Sequence, residues 1–283
     1  MEKMLEDFHQ WRDKAATQPE RREAFRNDVG IEVEPLYTPL HLEERGFDYR
    51  RDLGFAGEYP FTRGITPNMY RSQPPNIRVY VGFGTPAETN SRLKRVLDWG
   101  AEELQLAVDL PTQVGYDSDH TMAAGEVGRV GVAIDSLRDM EEVFRDIPLN
   151  SVRRVSMLGN SFGPIALALF LALGEKQGLS PADYVVDLQN DVLKEYIASG
   201  TQIYPVEPAL RLAADVVEYC ARNGLHHWYP LTVCINHINA AGAGSSAGAG
   251  FALANARCYI DELLSRDLSV DEFGHLLDMF IDE

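Results

Sequence analysis

The chain has 283 residues, of which 45% are hydrophobic and 24% are charged, and its formal net charge is −17. This composition is typical of a globular protein with one large domain or two small ones. The acidic excess argues against nucleic acid as a partner, because binding to phosphates needs a basic surface. The longest apolar run, Ile165 to Leu173, is about half as long as a membrane span, so we predict no membrane partner.

The cysteines and the N-terminal residues indicate the cellular compartment. Cys220, Cys234 and Cys258 have no paired spacing, which favours a reducing environment and argues against a structural zinc site. The first residues mix acids and bases and do not resemble a signal peptide. We therefore predict a cytoplasmic protein.

The first sixty residues are predicted to form a helix and an extended arm. Apolar residues recur at helical spacing from Lys3 to Asn27, whereas Val29 to Ala56 has no period. Residues 57–76 are rich in proline, glycine and aromatic residues and are predicted to form a loop. We place a domain boundary between residues 60 and 61, and a single domain over residues 61–283.

From Ile77 onward, predicted strands alternate with predicted helices. The strands are 77–83, 103–110, 152–157, 184–188 and 229–235, and residues 276–281 can form a sixth. The helices are 86–99 with Thr85 as its cap, 136–146, 165–176, 192–198, 207–223, and one from the Gly/Ala-rich segment 240–250 to Ser265. This alternation predicts right-handed crossovers and a parallel sheet.

The number of βα units predicts an α/β fold of the (β/α)8 TIM-barrel type that is incomplete in this chain. Five to six units are present, whereas eight close a barrel. An open parallel sheet would expose two strand edges. We therefore expect either a second polypeptide that completes the barrel or a longer protein of which this sequence is part.

Polar residues at the end of one predicted strand are candidate site residues. Gln189 and Asn190 follow the strand 184–188 and precede a predicted helix. Ligands of βα barrels bind at the carboxyl ends of the strands. An ordinary polar loop is the alternative interpretation.

A resemblance to a known family rests on six segments. They are GEYPFTRG (57–64), GFGTPAETN (82–90), DLPTQVGYDSDH (109–120), GEVGRVGVAIDSL (125–137), LQNDVLKEYIASGT (188–201) and DEFG (271–274). They resemble the large-subunit barrel of the adenosylcobalamin-dependent acyl-CoA mutases, the methylmalonyl-CoA and isobutyryl-CoA mutase family. The similarity is collinear from about Leu36 to Glu283 and corresponds to the N-terminal half or so of a typical large chain. It implies a barrel threaded by the pantetheine of coenzyme A and capped by cobalamin.

The resemblance also implies partner chains. The D-x-H-x-x-G motif that ligates cobalt in the family begins at Asp7 and His9, but Arg12 stands where the glycine is needed. We therefore expect adenosylcobalamin to be carried mainly by a separate cobalamin-binding small subunit. A chain supplying the remaining barrel strands and an acyl-CoA substrate are the other expected partners.

Three catalytic residues are implied by the resemblance. His237 matches the histidine that hydrogen-bonds the thioester carbonyl, and Gln189 matches the glutamine beside it. Tyr80 matches an aromatic residue that contacts substrate and helps to drive the adenosyl group off cobalt. An imidazole in the place of His237 can stabilise negative charge on the carbonyl oxygen. The alternative interpretation is that His237 is a structural histidine and that Tyr80 is a tyrosine of the hydrophobic core.

Further positions are implied to bind substrate or cofactor. Arg78 matches a clamp for a coenzyme A phosphate, a group that guanidinium suits well. The other implied substrate-binding residues are Met69, Gln73, Asn76, Ala107, Asn190 and Ser199, and the implied cofactor-binding residues are Asn236, Ala240 and Ala198.

Several of these positions depart from the family pattern. Ser199 stands where an arginine grips the free carboxylate of methylmalonyl-CoA, and Ala107 stands where 2-hydroxyisobutyryl-type enzymes place an aspartate. A hydroxyl cannot balance a buried carboxylate, so we predict a non-carboxylated acyl-CoA as substrate. Other replacements are Gln73 for a phosphate arginine, Asn236 for a tyrosine, Ala240 for a glutamate, and Pro75 and Asn76 for a tryptophan and a threonine. The alternative is a degenerate, non-catalytic barrel that scaffolds an active mutase.

The Gly/Ala-rich segment permits two other hypotheses. Gly244–Gly248 matches the G-x-S-x-G of hydrolases, with Asp261 or Asp267 and His275 following, and Gly242–Ala247 resembles a dinucleotide fingerprint. The G-x-S-x-G match lacks the required context, because the preceding strand ends near Ile235 and not at the serine. The dinucleotide match lacks it because the preceding strand is not the first strand. We favour close helix packing by small residues. Asp109, Asp117 and Asp119 are predicted to cap loops, and we assign no metal ligands.

Overall fold

The structure is a computed structural model that describes residues 2–72, 74–76 and 78–281. It divides into two compact units, Met1–Pro75 and Asn76–Glu283. The boundary predicted from the sequence, between residues 60 and 61, lies earlier in the chain.

The first unit has little regular structure. It contains helix α1 (Glu2–Ala16), helix α2 (Pro39–Glu44), a π-helical turn (Tyr49–Leu53) and a 3-10 turn (Met69–Arg71). Helix α1 ends well before the predicted Asn27, because Pro19 cannot continue a helix. The rings of Phe8 and His41 meet edge to face with their centroids 5.6 Å apart and hold α1 against α2.

The second unit alternates strands with helices. The strands are β1 (Arg78–Val81), β2 (Glu103–Ala107), β3 (Arg154–Leu158), β4 (Val186–Leu188), β5 (Leu231–Cys234) and β6 (Leu277–Phe280). The helices are α3 (Pro86–Asp98), α4 (Leu110–Gln113), α5 (Leu137–Val143), α6 (Gly163–Lys176), α7 (Val206–Arg222), α8 (Asn236–Ala240), α9 (Ser245–Leu264) and α10 (Val270–Phe273).

The strands pair in parallel and in chain order. Strands β1 to β4 form one sheet, and β5 pairs with β6. A parallel bridge between Asp187 and Tyr229 joins the two, and the Leu188 N–H donates to the Tyr229 carbonyl at 2.8 Å. The predictions of a parallel α/β fold and of a sixth strand are confirmed.

Most of the longer helices begin and end close to the positions predicted from local sequence signals. Helix α3 begins at the predicted Thr85 cap, whose hydroxyl accepts from the Glu88 N–H in a capping box. The helix predicted over 192–198 is present as residues 193–199, and its last five residues form a π-helical turn, Glu195–Ser199, that Gly200 ends in a left-handed conformation (φ 80°). The short helices α4 and α8 have no counterpart among the predicted elements.

Each strand has an apolar face and a polar face. Leu104, Leu106, Val155, Met157 and Val186 belong to the hydrophobic core beneath the helices. The residues that alternate with them face the other side of the sheet, which we call the inner face. On it lie Arg78, Tyr80, Glu103, Gln105, Arg154, Ser156, Asp187, Thr232 and Asp278.

The sheet curves around its inner face. The Arg78 guanidinium on β1 donates to the Asp187 carboxylate on β4 at 2.9 Å, although β2 and β3 lie between them. In a flat sheet the first and fourth strands are about 14 Å apart. Side chains that stand roughly perpendicular to the sheet would not meet across that distance. Strands β1 to β4 therefore curve as the wall of a barrel does.

Candidate functional site

Gln189 is fixed at the carboxyl end of β4. Its N–H donates to the Met157 carbonyl on β3 at 3.0 Å, and its carbonyl accepts from the Asn160 N–H at 2.6 Å. The alternation of side chains along β4 places Gln189 on the inner face with Asp187. Gln189 therefore lies at the strand end where ligands of parallel α/β folds bind.

His237 lies on α8, just after the neighbouring strand β5. It is half-buried, and its Nδ1 lies 3.0 Å from the Asn236 amide oxygen. Helix α8 packs beside the π-helical turn that carries Ala198 and Ser199. The predicted site residues of α8 and of this turn therefore lie on adjacent elements at the carboxyl edge of the sheet. Both elements are beside the strand that precedes Gln189. Ser199 and Ala240 are exposed there, and Ala198 is half-buried.

Two predicted substrate residues lie at the opposite end of the strands. Arg78 begins β1, and its guanidinium bonds the Glu103 carboxylate at 3.1 Å in addition to Asp187. The Asn76 amide donates to Glu103 at 3.2 Å and accepts from the Arg153 guanidinium at 3.0 Å. The phosphate-binding role of Arg78 stays a prediction, and a phosphate there would have to replace two carboxylate partners.

The remaining predicted residues are dispersed. Tyr80 lies on the inner face of β1 with 58% of its surface exposed, and Ala107 is buried at the carboxyl end of β2. Asn190 is fully buried on the helix side of the sheet, where its amide donates to the Ala213 carbonyl of α7 at 3.2 Å. Met69 belongs to the first unit, and Gln73 lies outside the described residues. The roles proposed for these residues stay predictions.

A buried charge cluster beside Gln189 is absent from the predicted site residues. The Lys194 ammonium is fully buried, donates to the Asn160 amide oxygen at 3.1 Å and pairs with the Glu195 carboxylate. Glu195 also accepts from the N–H and the hydroxyl of Thr201. The cluster therefore fastens the turn that carries Ser199 to the segment that follows β3. A Lys-Glu pair in a helix-like stretch normally indicates a solvated face, so the local sequence contains no clear signal of this cluster.

Asp191, which precedes this turn, links three elements through hydrogen bonds. Its carboxylate accepts from the Cys234 N–H at the end of β5 at 3.0 Å and from the Tyr259 hydroxyl of α9 at 2.8 Å. Burial raises the pKa of Asp191 above its ordinary value, although both hydrogen bonds act in the opposite direction. Burial, together with the charge of Asp191, also raises the pKa of Tyr259 well above its ordinary value.

The raised pKa of Asp191 predicts a pH dependence of stability. Below the ordinary value of 3.8 both the folded and the unfolded chain hold this proton. As the pH rises above that value, the unfolded chain releases the proton first, so the free energy of unfolding falls until the folded carboxyl ionises as well. We expect the free energy of unfolding of the wild type, relative to Asp191→Asn, to decrease with rising pH in urea titrations. The exposed Asp261→Asn is the control, and a difference that is flat or rises with pH would contradict the prediction.

The other sequence hypotheses have simple structural outcomes. Asp109 is predicted to cap a loop; its carboxylate accepts from the Gly128 N–H in the loop after α4 at 2.8 Å, and it also caps α4 by accepting from the Thr112 N–H at 3.0 Å. Ser245 begins α9, and α8 separates it from β5, so the G-x-S-x-G match is not a strand-to-helix elbow. A Cβ on Gly248 would lie 1.8 Å from the Asn239 amide oxygen, which supports close packing as the role of the small residues.

Residues 2–72, 74–76 and 78–281 contain neither a metal-binding group of side chains nor a membrane-spanning helix. Within these ranges, no three His, Cys, Asp or Glu side chains are grouped so that they could hold a metal ion. No helix in the same ranges has the length and apolar character needed to cross a bilayer.

Comparison with known proteins identifies the family. The methylmalonyl-CoA mutase family model matches residues 26–282. The chain is 40% identical over 262 residues to the 2-hydroxyisobutanoyl-CoA mutase large subunit of Aquincola tertiaricarbonis, covering 93% of this chain and 46% of that relative. It is 35% identical over 282 residues to the methylmalonyl-CoA mutase of Escherichia coli (strain K12), covering 98% of this chain and 39% of the relative. The chain belongs to the methylmalonyl-CoA mutase family and spans less than half the length of these relatives.

Proposed function

We propose that this chain is a subunit or fragment of an adenosylcobalamin-dependent acyl-CoA mutase that rearranges a non-carboxylated acyl-CoA. The observation that carries the proposal is the position of Gln189 and His237. They follow neighbouring parallel strands, β4 and β5, and match the thioester-binding residues of the family. Family membership, which rests on nearly the whole chain, supports the same reaction class.

The proposed roles follow from the chemistry of the side chains. Negative charge builds on the thioester carbonyl oxygen while the acyl group migrates, and hydrogen-bond donors aimed at that oxygen stabilise it. The Gln189 amide supplies such a donor, and the imidazolium form of His237 supplies another from Nε2 while its Nδ1–H bonds the Asn236 amide oxygen. Contact of the His237 Nδ1 with the Asn236 amide oxygen orients the ring. Tyr80, on the inner face of β1, would line the acyl pocket and help to exclude water.

The residues assigned to the cofactor fit a packing role. Ala198 and Ala240 present small side chains at the carboxyl edge, where a flat macrocycle can approach closely. Neither they nor Asn236 would be a cobalt ligand, which is consistent with a cobalamin-binding small subunit as partner. When bound, the cofactor supplies the radical that removes hydrogen from the acyl chain.

The acyl group is proposed to lack a carboxylate because Ser199 is exposed in the turn beside α8 and carries no charge. We predict that Ser199→Arg raises the affinity for carboxylated acyl-CoAs about tenfold or more, because a charge-assisted hydrogen bond contributes roughly 1.5–3 kcal/mol. The affinity of the complex for carboxylated and non-carboxylated acyl-CoAs would be measured by calorimetry. Ser91→Arg, on the exposed face of α3, is the matched control. Equal effects of the two variants would contradict the placement of Ser199.

The partner chains are part of the proposal. A small subunit would carry cobalamin, and a further chain or chain segment would supply the remaining barrel strands. Reconstitution of the chain with both, followed by assay of a panel of acyl-CoAs with adenosylcobalamin, tests the proposed activity. Turnover of a non-carboxylated acyl-CoA is the expected result.

A non-catalytic scaffold is the second candidate function. The observation that favours it is the engagement of Arg78 by Glu103 and Asp187, which removes a phosphate ligand from the proposed enzyme. Intact assembly with no turnover of any acyl-CoA would support the scaffold.

A further inference from the structure

Three consecutive polar residues at the carboxyl end of β4 are buried, and each is bonded to a different element. Gln189 is held to β3 and the segment after it through its backbone, and the Asn190 amide donates to α7 at 3.2 Å. The Asp191 carboxylate accepts from the Cys234 N–H at the end of β5 at 3.0 Å. Buried polar groups are unfavourable unless they are hydrogen-bonded. These bonds therefore fix the segment that carries Gln189 from three sides.

Asp191 takes over the pairing of β4 with β5 at their carboxyl ends. Nearer the amino ends the pairing is made by the backbone, since the Tyr229 carbonyl accepts from the Leu188 N–H at 2.8 Å and the Tyr229 N–H donates to β4 at 2.9 Å. Further along β5, the Cys234 N–H donates to the Asp191 carboxylate. A side-chain carboxylate thus occupies the place of a backbone acceptor in a parallel ladder.

The bond between Asp191 and Cys234 lies close in the chain to both candidate thioester residues. Asp191 follows Gln189 by two residues, and Cys234 precedes His237 by three. The bond is therefore a short link between the two segments that carry them. A displacement of about 1 Å at a reacting group can reduce a rate by about 100-fold, so the separation of these segments matters for catalysis.

Tyr259 of α9 holds the Asp191 carboxylate in place. Its hydroxyl donates to Asp191 at 2.8 Å and accepts from the Leu193 N–H at 2.9 Å. Both Asp191 and Tyr259 are fully buried, so water does not compete for these bonds. The position of the carboxylate is thus determined by α9 as well as by β4.

We infer that Asp191 and Tyr259 are positioning residues that set the separation of Gln189 and His237. Asp191 holds the carboxyl ends of β4 and β5 together, and Tyr259 holds Asp191. Both act through the backbone and not on the substrate. The thioester as ligand rests on the proposed function, whereas the positioning rests on the contacts of Asp191 with Cys234 and Tyr259.

The NMR signal of the His237 imidazole tests the positioning without any ligand. Spectra of the chain with 13C-labelled histidine would be recorded, and His237 is assigned by the loss of its signal in His237→Gln. Tyr259→Phe removes the hydroxyl and keeps the ring. It should shift the His237 signal by more than a linewidth, because the backbone that leads to His237 moves. Asp191→Asn should shift the same signal and replaces Tyr259→Phe if that variant does not fold.

A second buried tyrosine provides the matched control. Tyr184 lies before β4, at the amino end of that strand, and its hydroxyl donates to the Phe170 carbonyl at 3.1 Å. Tyr184→Phe also removes one buried hydrogen bond, but it should leave the His237 signal in place. An unshifted His237 signal in Tyr259→Phe, or equal shifts in the two variants, would overturn the inference.

Kinetics connect the positioning with the proposed activity. In the reconstituted complex, Tyr259→Phe should lower kcat about tenfold or more with little change in KM, because displaced donors stabilise the transition state less well. Tyr184→Phe should leave kcat unchanged. An active complex in which Tyr259→Phe has no effect on kcat would contradict the positioning.

A double variant separates positioning from a general loss of structure. In the His237→Ala background, Tyr259→Phe should lower kcat by a much smaller factor than in the wild type, since one of the groups that it positions is gone. The same factor in both backgrounds would overturn the inference. If the wild-type complex turns over no acyl-CoA, the proposed function fails, and the NMR experiment still decides the positioning.

Discussion

Lys194→Met is expected to lower the free energy of unfolding by about 3–5 kcal/mol, because it leaves the buried Glu195 carboxylate without its cation. The Lys194 ammonium is fully buried and also bonds the Asn160 amide oxygen, so two partners lose their donor at once. Urea denaturation of the wild type and the variant, followed by circular dichroism, measures the difference.

A matched surface pair provides the control for Lys194. Lys176 bonds Glu141 at 2.7 Å, but both side chains are largely solvated. Lys176→Met should therefore cost no more than about 1 kcal/mol. The double variant Lys194→Met/Glu195→Gln should recover part of the loss, since it removes the unpaired charge while an amide oxygen still accepts from Thr201. Similar losses for Lys194→Met and Lys176→Met would show that the buried pair has no special role.

His237→Ala is expected to reduce kcat of the reconstituted mutase by about 10²–10³-fold, the effect of removing one donor to a developing oxyanion. The reason is that charge on the thioester oxygen increases in the transition state, so the imidazole contributes more there than in the bound substrate. His237→Gln, which keeps a donor, should retain more activity than His237→Ala. Steady-state kinetics on the assembled complex give kcat and KM separately.

His226 offers a suitable control for His237. It is exposed and lies in the loop that precedes β5, at the amino end of that strand, with 3.1 Å between its Nδ1 and the Nε2 of His275. His226→Ala should leave kcat unchanged. A loss of activity in His237→Ala that consists only of an increase in KM would assign His237 to substrate binding and contradict its role in the transition state.

The helices and strands that could be predicted are those whose sequence signals lie within the element itself or next to it. Thr85, followed by Pro86 and Glu88, has the sequence of a capping box, and α3 begins there. The apolar segment 276–281 was sufficient to predict β6, although its partner β5 lies more than forty residues earlier in the chain. Short-range patterns of this kind do not depend on what the rest of the chain does.

The site was less predictable because its geometry depends on distant residues. Lys194 and Glu195 have the pattern of a solvated helix face, but both are buried, and Lys194 bonds Asn160, which lies 34 residues earlier in the sequence. Arg78 suits a phosphate as well as a carboxylate, and the choice depends on Asp187, which lies 109 residues later in the sequence. The inner-face position of Asp187 and Gln189 could have been found from their spacing of two residues along the strand 184–188 and its end.

The central position of Asp187 constrains how this protein can evolve. Because its carboxylate bonds Arg78, Ser156 and Thr232, loss of any one of these residues alters the environment of the others. Substitutions within the group will not be additive, so double-mutant cycles should yield large coupling energies. Among homologues, these four positions should therefore covary as one set, with a neutral residue at 187 accompanied by the loss of arginine at 78.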